Sequence, residues 1–387
     1  EDIDPRPYCK HRLKDSKAPV GSLIGIYPIQ GKGVVNGSSH KKLLAIGNLK
    51  QPVHAWGEIY TGISAKDYMD GTSNFYGVHS VTLYVDSVQV FNSTTDKVLP
   101  DENRMINGFT DYEELTRTRR LIMRSYKLPG NRLRLLHPNE NRGAVTIDEE
   151  RDYHFRYVLE DNFGNRRTYQ FIVKGKRQDI PEYKPEANEM LYWNRTNVIQ
   201  KPGMELVVPR YYVYEDVPLR TDMRGDSSHI AFDYILDAGR TPIHSYCDLS
   251  IGLRHMPVAD TTKYYIVQKA GKWRSSMGGK YANGWIKTRV RSLGTFSVNV
   301  DTIAPQITPI GQGGWRTSRN IRFRIKDMES GIGSYKVYID GKFVLFGLKK
   351  GILVIQNPEK VKKGVSHKLE VTVTDQCGNM TRKEYKF

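Results

Sequence analysis

Ten histidines and 42 acidic residues are the raw material of a metal or acid–base centre, and their spacing decides what they can do. A zinc hydrolase site gathers His, Asp and Glu donors on one ion. Three pairs have H-x-x-x-D spacing, His11/Asp15, His229/Asp233 and His244/Asp248, and no pair has H-x-H or H-E-x-x-H spacing. The last two pairs span Ile230-Ala231-Phe232 and Ser245-Tyr246-Cys247, stretches that read as strand. In a strand, positions i and i+4 lie about 13 Å apart, too far for one ion unless the chain bends. The sequence therefore predicts no catalytic residue and no metal ligand. There is no nucleophile elbow, P-loop or dinucleotide fingerprint. Glu113-Glu114 and Glu149-Glu150 are adjacent and read as solvated; a glycosidase pair would come from distant strands, which spacing does not reveal. Cys9, Cys247 and Cys377 are too far apart to suggest a disulfide framework or a zinc module.

Binding chemistry is better represented. The net charge of +17 favours anionic partners, whether nucleic acid, acidic lipid or cell-wall polymer. Between residues 117 and 134 lie Arg117, Arg119, Arg120, Arg124, Lys127, Arg132 and Arg134, with no acid among them. As a strand, Arg132 and Arg134 would share a face and could hold phosphate or carboxylate groups of a polymer. The competing reading is a solvated face, neutralised by acids that folding brings in. Trp273, Tyr281 and Trp285 sit in a Gly-rich stretch and are candidates for stacking on sugars, or for packing in a core.

The elements that must position these residues are strands. Short runs rich in β-branched and aromatic residues recur at 81–85, 153–157, 205–214, 264–268, 295–300, 320–325, 335–339 and 368–374, bounded by Gly, Asn, Asp or Pro. One short helix is predicted over 110–119, with Thr110 as cap and Glu113 at capping-box spacing. The chain also repeats itself. Residues 77–86 match 331–340, Asp15-Ser16-Lys17-Ala18-Pro19 matches Asp301-Thr302-Ile303-Ala304-Pro305, and Asp161-Asn162-Phe163-Gly164-Asn165 matches Asp375-Gln376-Cys377-Gly378-Asn379. Three pieces in the same order imply two copies of one sandwich. The expected class is all-β: tandem immunoglobulin-like β-sandwich domains, with the short helix in an insertion of the first. The expected segments are an opening stretch 1–15, a sandwich with long insertions (34–70 and 91–150) over 16–175, a linker 176–189 carrying Pro181 and Pro185, a middle sandwich 190–300, and a compact sandwich 301–387. No run approaches the length of a membrane span.

These ordered pieces resemble a family. Asp4-Pro5, the 15–19 opener, Ile26-Tyr27-Pro28, the 76–86 strand, Asp101-Glu102-Asn103-Arg104-Met105-Ile106-Asn107 followed by Asp111-Tyr112, and the 294–305 junction are similar to the non-catalytic C-terminal β-sandwich region of LytM/lysostaphin-like zinc metallopeptidases (murein endopeptidases) of Bacteroidetes-type bacteria. The family's ligands are a glycine-containing H-x-x-x-D and a later H-x-H; the matches here lack the glycine and H-x-H is missing, so no catalytic residue carries over. The resemblance implies an accessory region that positions or regulates an upstream zinc domain of the same polypeptide, with zinc only in that domain. It implies export to the periplasm or cell envelope, contact with peptidoglycan or another anionic envelope polymer, and no nucleic-acid partner. The alternative is a stand-alone carbohydrate-binding or adhesive sandwich protein.

Overall fold

The computed structural model of the chain describes residues 2–3, 8, 14–226 and 228–387. Asp4-Pro5, Cys9 and His11 lie outside them. The described chain is almost entirely β and forms two compact units: Glu1–Asn197 with Pro209–Pro218 and Ala238–Ser245, and Val198–Val208 with Leu219–Asp237 and Tyr246–Phe387. No helix among the described residues is long and apolar enough to cross a membrane.

In the first unit the strands are β1 (Val20–Val35), β2 (Lys42–Ala45), β3 (Val53–Tyr68), β4 (Ser80–Val85), β5 (Val88–Thr94), β6 (Met123–Arg124), β7 (Leu136–Pro138), β8 (Val145–Ile147), β9 (Asp152–Glu160) and β10 (Arg166–Gly175). They form one sheet in the order β7-β5-β4-β9-β10-β3-β1-β2, with β6, β8 and Phe75–Tyr76 also paired to β3. Alternation sets which face is buried: Tyr153, Phe155, Tyr157 and Leu159 of β9 point inward. They join Ile24 and Ile26 of β1, Ile59 and Ile63 of β3, Leu83 of β4 and Phe91 of β5 in one core. Each such side chain contributes about 1.5–3 kcal/mol on burial.

The second unit holds two sandwiches. The middle one sets β13 (Val217–Arg224), β14 (Asp233–Asp237), β20 (Gly294–Val300), β16 (Tyr264–Ala270) and β17 (Trp273–Ser276), paired in that order, beside a second sheet. That sheet runs β11 (Asn197–Lys201), β12 (Met204–Val208), β15 (Cys247–Gly252), β19 (Trp285–Val290), β18 (Lys280–Ala282). The last sandwich pairs β21 (Gln306–Ile310), β22 (Arg322–Lys326), β26 (Ile352–Ile355) and β25 (Phe346–Lys349) in one sheet. Its other sheet is β24 (Lys342–Phe343), β23 (Ile332–Ile339), β27 (Lys368–Asp375) and β28 (Met380–Lys386). Trp315, fully buried, anchors that core against Phe323 with ring centroids 5.0 Å apart.

The sequence repeat is a structural repeat. In the first copy Asp161 Oδ1 accepts from the Phe163 and Asn165 amides, and Asn165 Nδ2 donates to Asp161 Oδ2 (2.7 Å) and to the Asp15 carbonyl (3.0 Å). In the second, Asp375 Oδ1 accepts from Cys377 and Asn379, and Asn379 Nδ2 donates to Asp375 Oδ2 (2.7 Å) and to the Asp301 carbonyl (3.0 Å). Gly164 and Gly378 take φ of +89° and +79°, a region that costs a side chain. The asparagine thus ties each domain's opening residue to its closing hairpin.

Several expectations need correction. The strand expected over 205–214 stops at Val208, because Pro209 has no N–H to pair. The helix runs Tyr112–Thr118, and its cap is Asp111, whose side chain accepts from the Glu114 amide, not Thr110. The 34–70 insertion is largely β3, a 16-residue strand central to the sheet. Of the expected linker 176–189, residues 176–188 lack regular structure and Glu189 opens the strand Glu189–Leu191, while the stretch lies along the first unit: Lys176 N donates to the Ala55 carbonyl and Gln178 Oε1 accepts from Gly37 N at 2.6 Å. Pro209–Pro218 and Ala238–Ser245, within 190–300, group with the first unit. Tyr214 explains the first of these: it is buried in that unit's core, with its carbonyl on Gly130 N (2.7 Å).

Candidate functional site

Three neighbouring strands build a tyrosine ladder in the first unit. Tyr27 of β1 and Tyr60 of β3 are register partners, and their rings stack 4.8 Å apart and 2° from parallel. On the other side of β3, Gly62 pairs with Arg124 of β6, and Tyr126, two residues on, stacks on Tyr60 at 4.7 Å. Cross-strand aromatic pairs of this kind stabilise a sheet locally. Gly62 is what lets β6 come so close: a Cβ there would sit 2.8 Å from the Met123 carbonyl oxygen.

These residues line a cleft of about 650 Å³, within the range of small-ligand sites. Its rim is the Asp111 cap of the helix Tyr112–Thr118, with Asn107 and Lys41; Glu215, Tyr183 and Arg240 complete it. Asp111 is buried and holds Lys41 Nζ at 2.7 Å, while the Tyr27 hydroxyl donates to its Oδ2 at 3.1 Å. Burial pushes the Asp111 carboxyl up, but Lys41 and the Glu114 amide outweigh it and hold it below the usual range. Lys41 also faces Glu113 and Glu114. Burial keeps the phenols protonated: Tyr60 is pushed up to about 12, and Tyr27 and Tyr126 also rise.

Arg124 differs from its neighbours. Its Nε is shielded from solvent and has no hydrogen-bond partner. Burial pushes its pKa down, but the surrounding Tyr60, Glu215, Asp111 and Tyr27 outweigh that through space. Glu215 lines the same cleft, open to solvent. The protein walls raise its carboxyl, Arg124 lowers it, and Asp216 raises it further. Lys41, Arg124 and Arg240 balance Asp111, Glu113 and Glu215, so the cleft is neutral in a strongly basic chain.

The structure disperses the basic run expected between 117 and 134. Arg117 and Arg120 pair with Glu114 (2.8 and 3.3 Å), and Arg134 makes a two-pronged bond to Glu102 (2.7 Å for the shorter). Arg119 ends the helix in a left-handed turn, and Arg132 lies 4.6 Å over the Tyr211 ring. Burial lowers the Lys127 pKa, helped by Arg142. Arg132 and Arg134 lie outside any strand. Only Arg124 of the seven lines the cleft. Trp273 is 81% exposed on β17. Tyr281 and Trp285 are half-buried on β18 and β19, adjacent strands of the other sheet. His229 bonds Asp226 (3.0 Å) while Asp233 pairs with Lys269 (2.6 Å), and His244 Nδ1 meets the Tyr214 hydroxyl.

Sequence reasoning missed two groupings. One is the cleft. The other is a pair of carboxylate trios, Asp15/Asp67/Asp161 and Asp301/Asp327/Asp375, each offering one oxygen per residue within 4.8 Å of the others. All-oxygen sets suit a hard divalent cation better than zinc. Several of these oxygens already accept protein hydrogen bonds: Asp301 Oδ2 takes Ser330 N (3.0 Å) and Oγ, and Asp327 Oδ2 takes Gly331 N at 2.7 Å. Burial and the Asp301 charge raise the Asp375 carboxyl, against the pull of Asn379 and the turn amides. The repeated Asp15/Asp301 and Asp161/Asp375 positions carried that signal, which a search centred on histidine passes over.

Fold and site together define a multidomain β-sandwich protein with a polar, tyrosine-walled cleft. Residues 188–301 match a Zu5-like domain. No curated protein matches the chain. Solved structures it is similar to include part of a 1.5-MDa bacterial ice-binding adhesin, studied for host cell surface retention (9% identity, 96% of this chain and 98% of that one, TM-score 0.16). Another is the Bacteroides ovatus mixed-linkage glucan utilization protein SGBP-B with a bound heptasaccharide (10% identity, 84% and 62%, TM-score 0.14).

Proposed function

We propose that the chain is a non-catalytic glycan-binding β-sandwich protein whose ligand sits in the cleft of the first unit. The cleft itself carries this reading: about 650 Å³ walled by Tyr27, Tyr60 and Tyr126, with hydroxyl, carboxylate, ammonium and guanidinium groups around one space. Such a surface offers both donors and acceptors to a hydroxyl-rich ligand. Screening the purified chain on a glycan array, then titrating hits by calorimetry, tests it. Binding lost in Tyr60→Ala, in a variant that keeps its β circular dichroism, supports the reading; no binding to any wall, host or plant glycan overturns it.

A second reading is an accessory region of a cell-envelope murein endopeptidase. One observation favours it: the 101–112 insertion, which carries the family resemblance, supplies Asn107, Asp111 and Tyr112 to the cleft. On that reading the cleft holds peptidoglycan for a zinc domain upstream. Blotting native cells with an antibody to this chain tests it, because a catalytic domain would add at least roughly 10–20 kDa to the 44.4 kDa of this sequence.

A further inference from the structure

Arg124 is an unusual residue to leave without a partner. A guanidinium carries five donors in a planar fork that matches a carboxylate. Its Nε is shielded and unbonded. Buried donors are nearly always satisfied, and this one is out of a ligand's reach; a ligand in the cleft would meet the part of Arg124 that lines it. Asp111 does not occupy that place, being taken by Lys41, the Tyr27 hydroxyl and the Glu114 amide. Glu215 acts on Arg124 only through space.

The charge balance narrows what could complete the site. Asp111, Glu113 and Glu215 line the same cleft. A phosphate dianion or a polyanion would be repelled by at least Glu215, whereas one carboxylate could take Arg124 with the rest of the ligand neutral. The Tyr60 and Tyr126 phenols beside it stay protonated and can donate to that same group, while the Tyr27 hydrogen is already given to Asp111. Resting on the glycan reading above, we infer that the cleft selects a sugar bearing a single carboxylate, seated on the Arg124 guanidinium. Two glycan sources have this chemistry: a uronic acid, with the carboxylate on the ring, and an N-acetylmuramyl residue, with it on a lactyl ether.

The test titrates the ¹⁵N-labelled full chain with four probes: glucuronate, glucose, N-acetylmuramic acid and N-acetylglucosamine. At least one acid should bind at least tenfold tighter than its neutral counterpart, and which acid does so names the source. The Arg124 Nε–Hε resonance should shift with that acid. In Arg124→Met the acid-to-neutral ratio should fall to about one. If that variant fails to fold, the wild-type Nε–Hε shift decides alone. Equal affinity for acid and neutral sugars, or an Nε–Hε signal that does not move on saturation, overturns the carboxylate assignment and leaves the glycan reading standing. Failure of all four probes to bind, alongside array-positive neutral oligosaccharides, likewise overturns only the carboxylate. Failure of every glycan overturns both.

Discussion

His367 shows how much one side chain can reveal about solution behaviour. Only 7% exposed, it places Nδ1 2.6 Å from Asp340 Oδ2 and Nε2 2.8 Å from the Lys362 carbonyl. Both partners are acceptors, so both ring nitrogens must donate, and only the imidazolium can do that. Burial pushes the His367 pKa down, but the bonds to Asp340 and Lys362 prevail and raise it above 6.5. A group whose folded pKa is raised stabilises fully below its unfolded pKa and loses that stabilisation as pH rises through the folded value. Asp340 moves the other way, lowered chiefly by His367, so its share is lost as pH falls. The last sandwich should therefore lose melting temperature as pH climbs from about 6 through the His367 transition, about 6.5 being the unfolded value. His367→Gln should flatten that limb of the profile. Identical slopes in the two proteins would refute the assignment. The sequence showed His367 only as one of ten histidines, because both partners reach it by folding.

At the scale of elements, strands with clean alternation were legible. Tyr153 to Tyr157 lies within β9, and Tyr335 to Ile339 within β23. What hid was β3, which with β1 is the longest strand: it lies inside the expected 34–70 insertion, and Gly57 and Gly62 interrupt its β-branched and aromatic pattern. Gly57 does bend it, with φ of +80°, but Gly62 is there for closeness rather than for a turn. The helix cap slipped by one residue because Thr110 and Asp111 are both good caps, and packing against Lys41 and Tyr27 favours the aspartate. Gly62→Val should therefore act at a distance. Its side chain meets the Met123 carbonyl, so β6 must move out and take Arg124 with it. The expected cost is about 1–3 kcal/mol of stability, with weakened glycan binding. The amide of Ser125, which donates to the Thr61 carbonyl at 2.8 Å, should exchange faster by hydrogen exchange. Unchanged Ser125 protection would mean that β6 is held by something other than this close approach.

At the scale of the molecule, the repeat was legible because its marks sit in short motifs at the ends of each copy. The cleft was not, because residues 27, 60, 124 and 215 meet only through three strands and a segment drawn from the middle of the chain. The 117–134 basic run breaks up for a related reason: folding sets Arg117, Arg120 and Arg134 against nearby acids. Within the second unit, the junction of the two sandwiches has no spare linker: β20 ends at Val300 and Asp301 already belongs to the next domain's knot. Glu329 of the last sandwich accepts from the Tyr265 hydroxyl and from Asn299 Nδ2, both at 2.9 Å. Lys263 Nζ reaches the Cys377 carbonyl at 3.0 Å, and Tyr265, Val267 and Cys377 form a small apolar cluster. Two domains joined this way should melt together, since separating them breaks these polar bonds as well as exposing apolar surface. Calorimetry of the full chain should show the second unit as one transition. Glu329→Ala removes both bonds at the seam, at a cost of about 1–3 kcal/mol, and should split off the last sandwich as an earlier peak. That peak can be assigned because it should carry the pH dependence of His367. If the variant still melts as one unit, the apolar cluster and the Asp301 knot hold the seam without the glutamate; if the wild type already melts in two steps, the seam is not a cooperative interface.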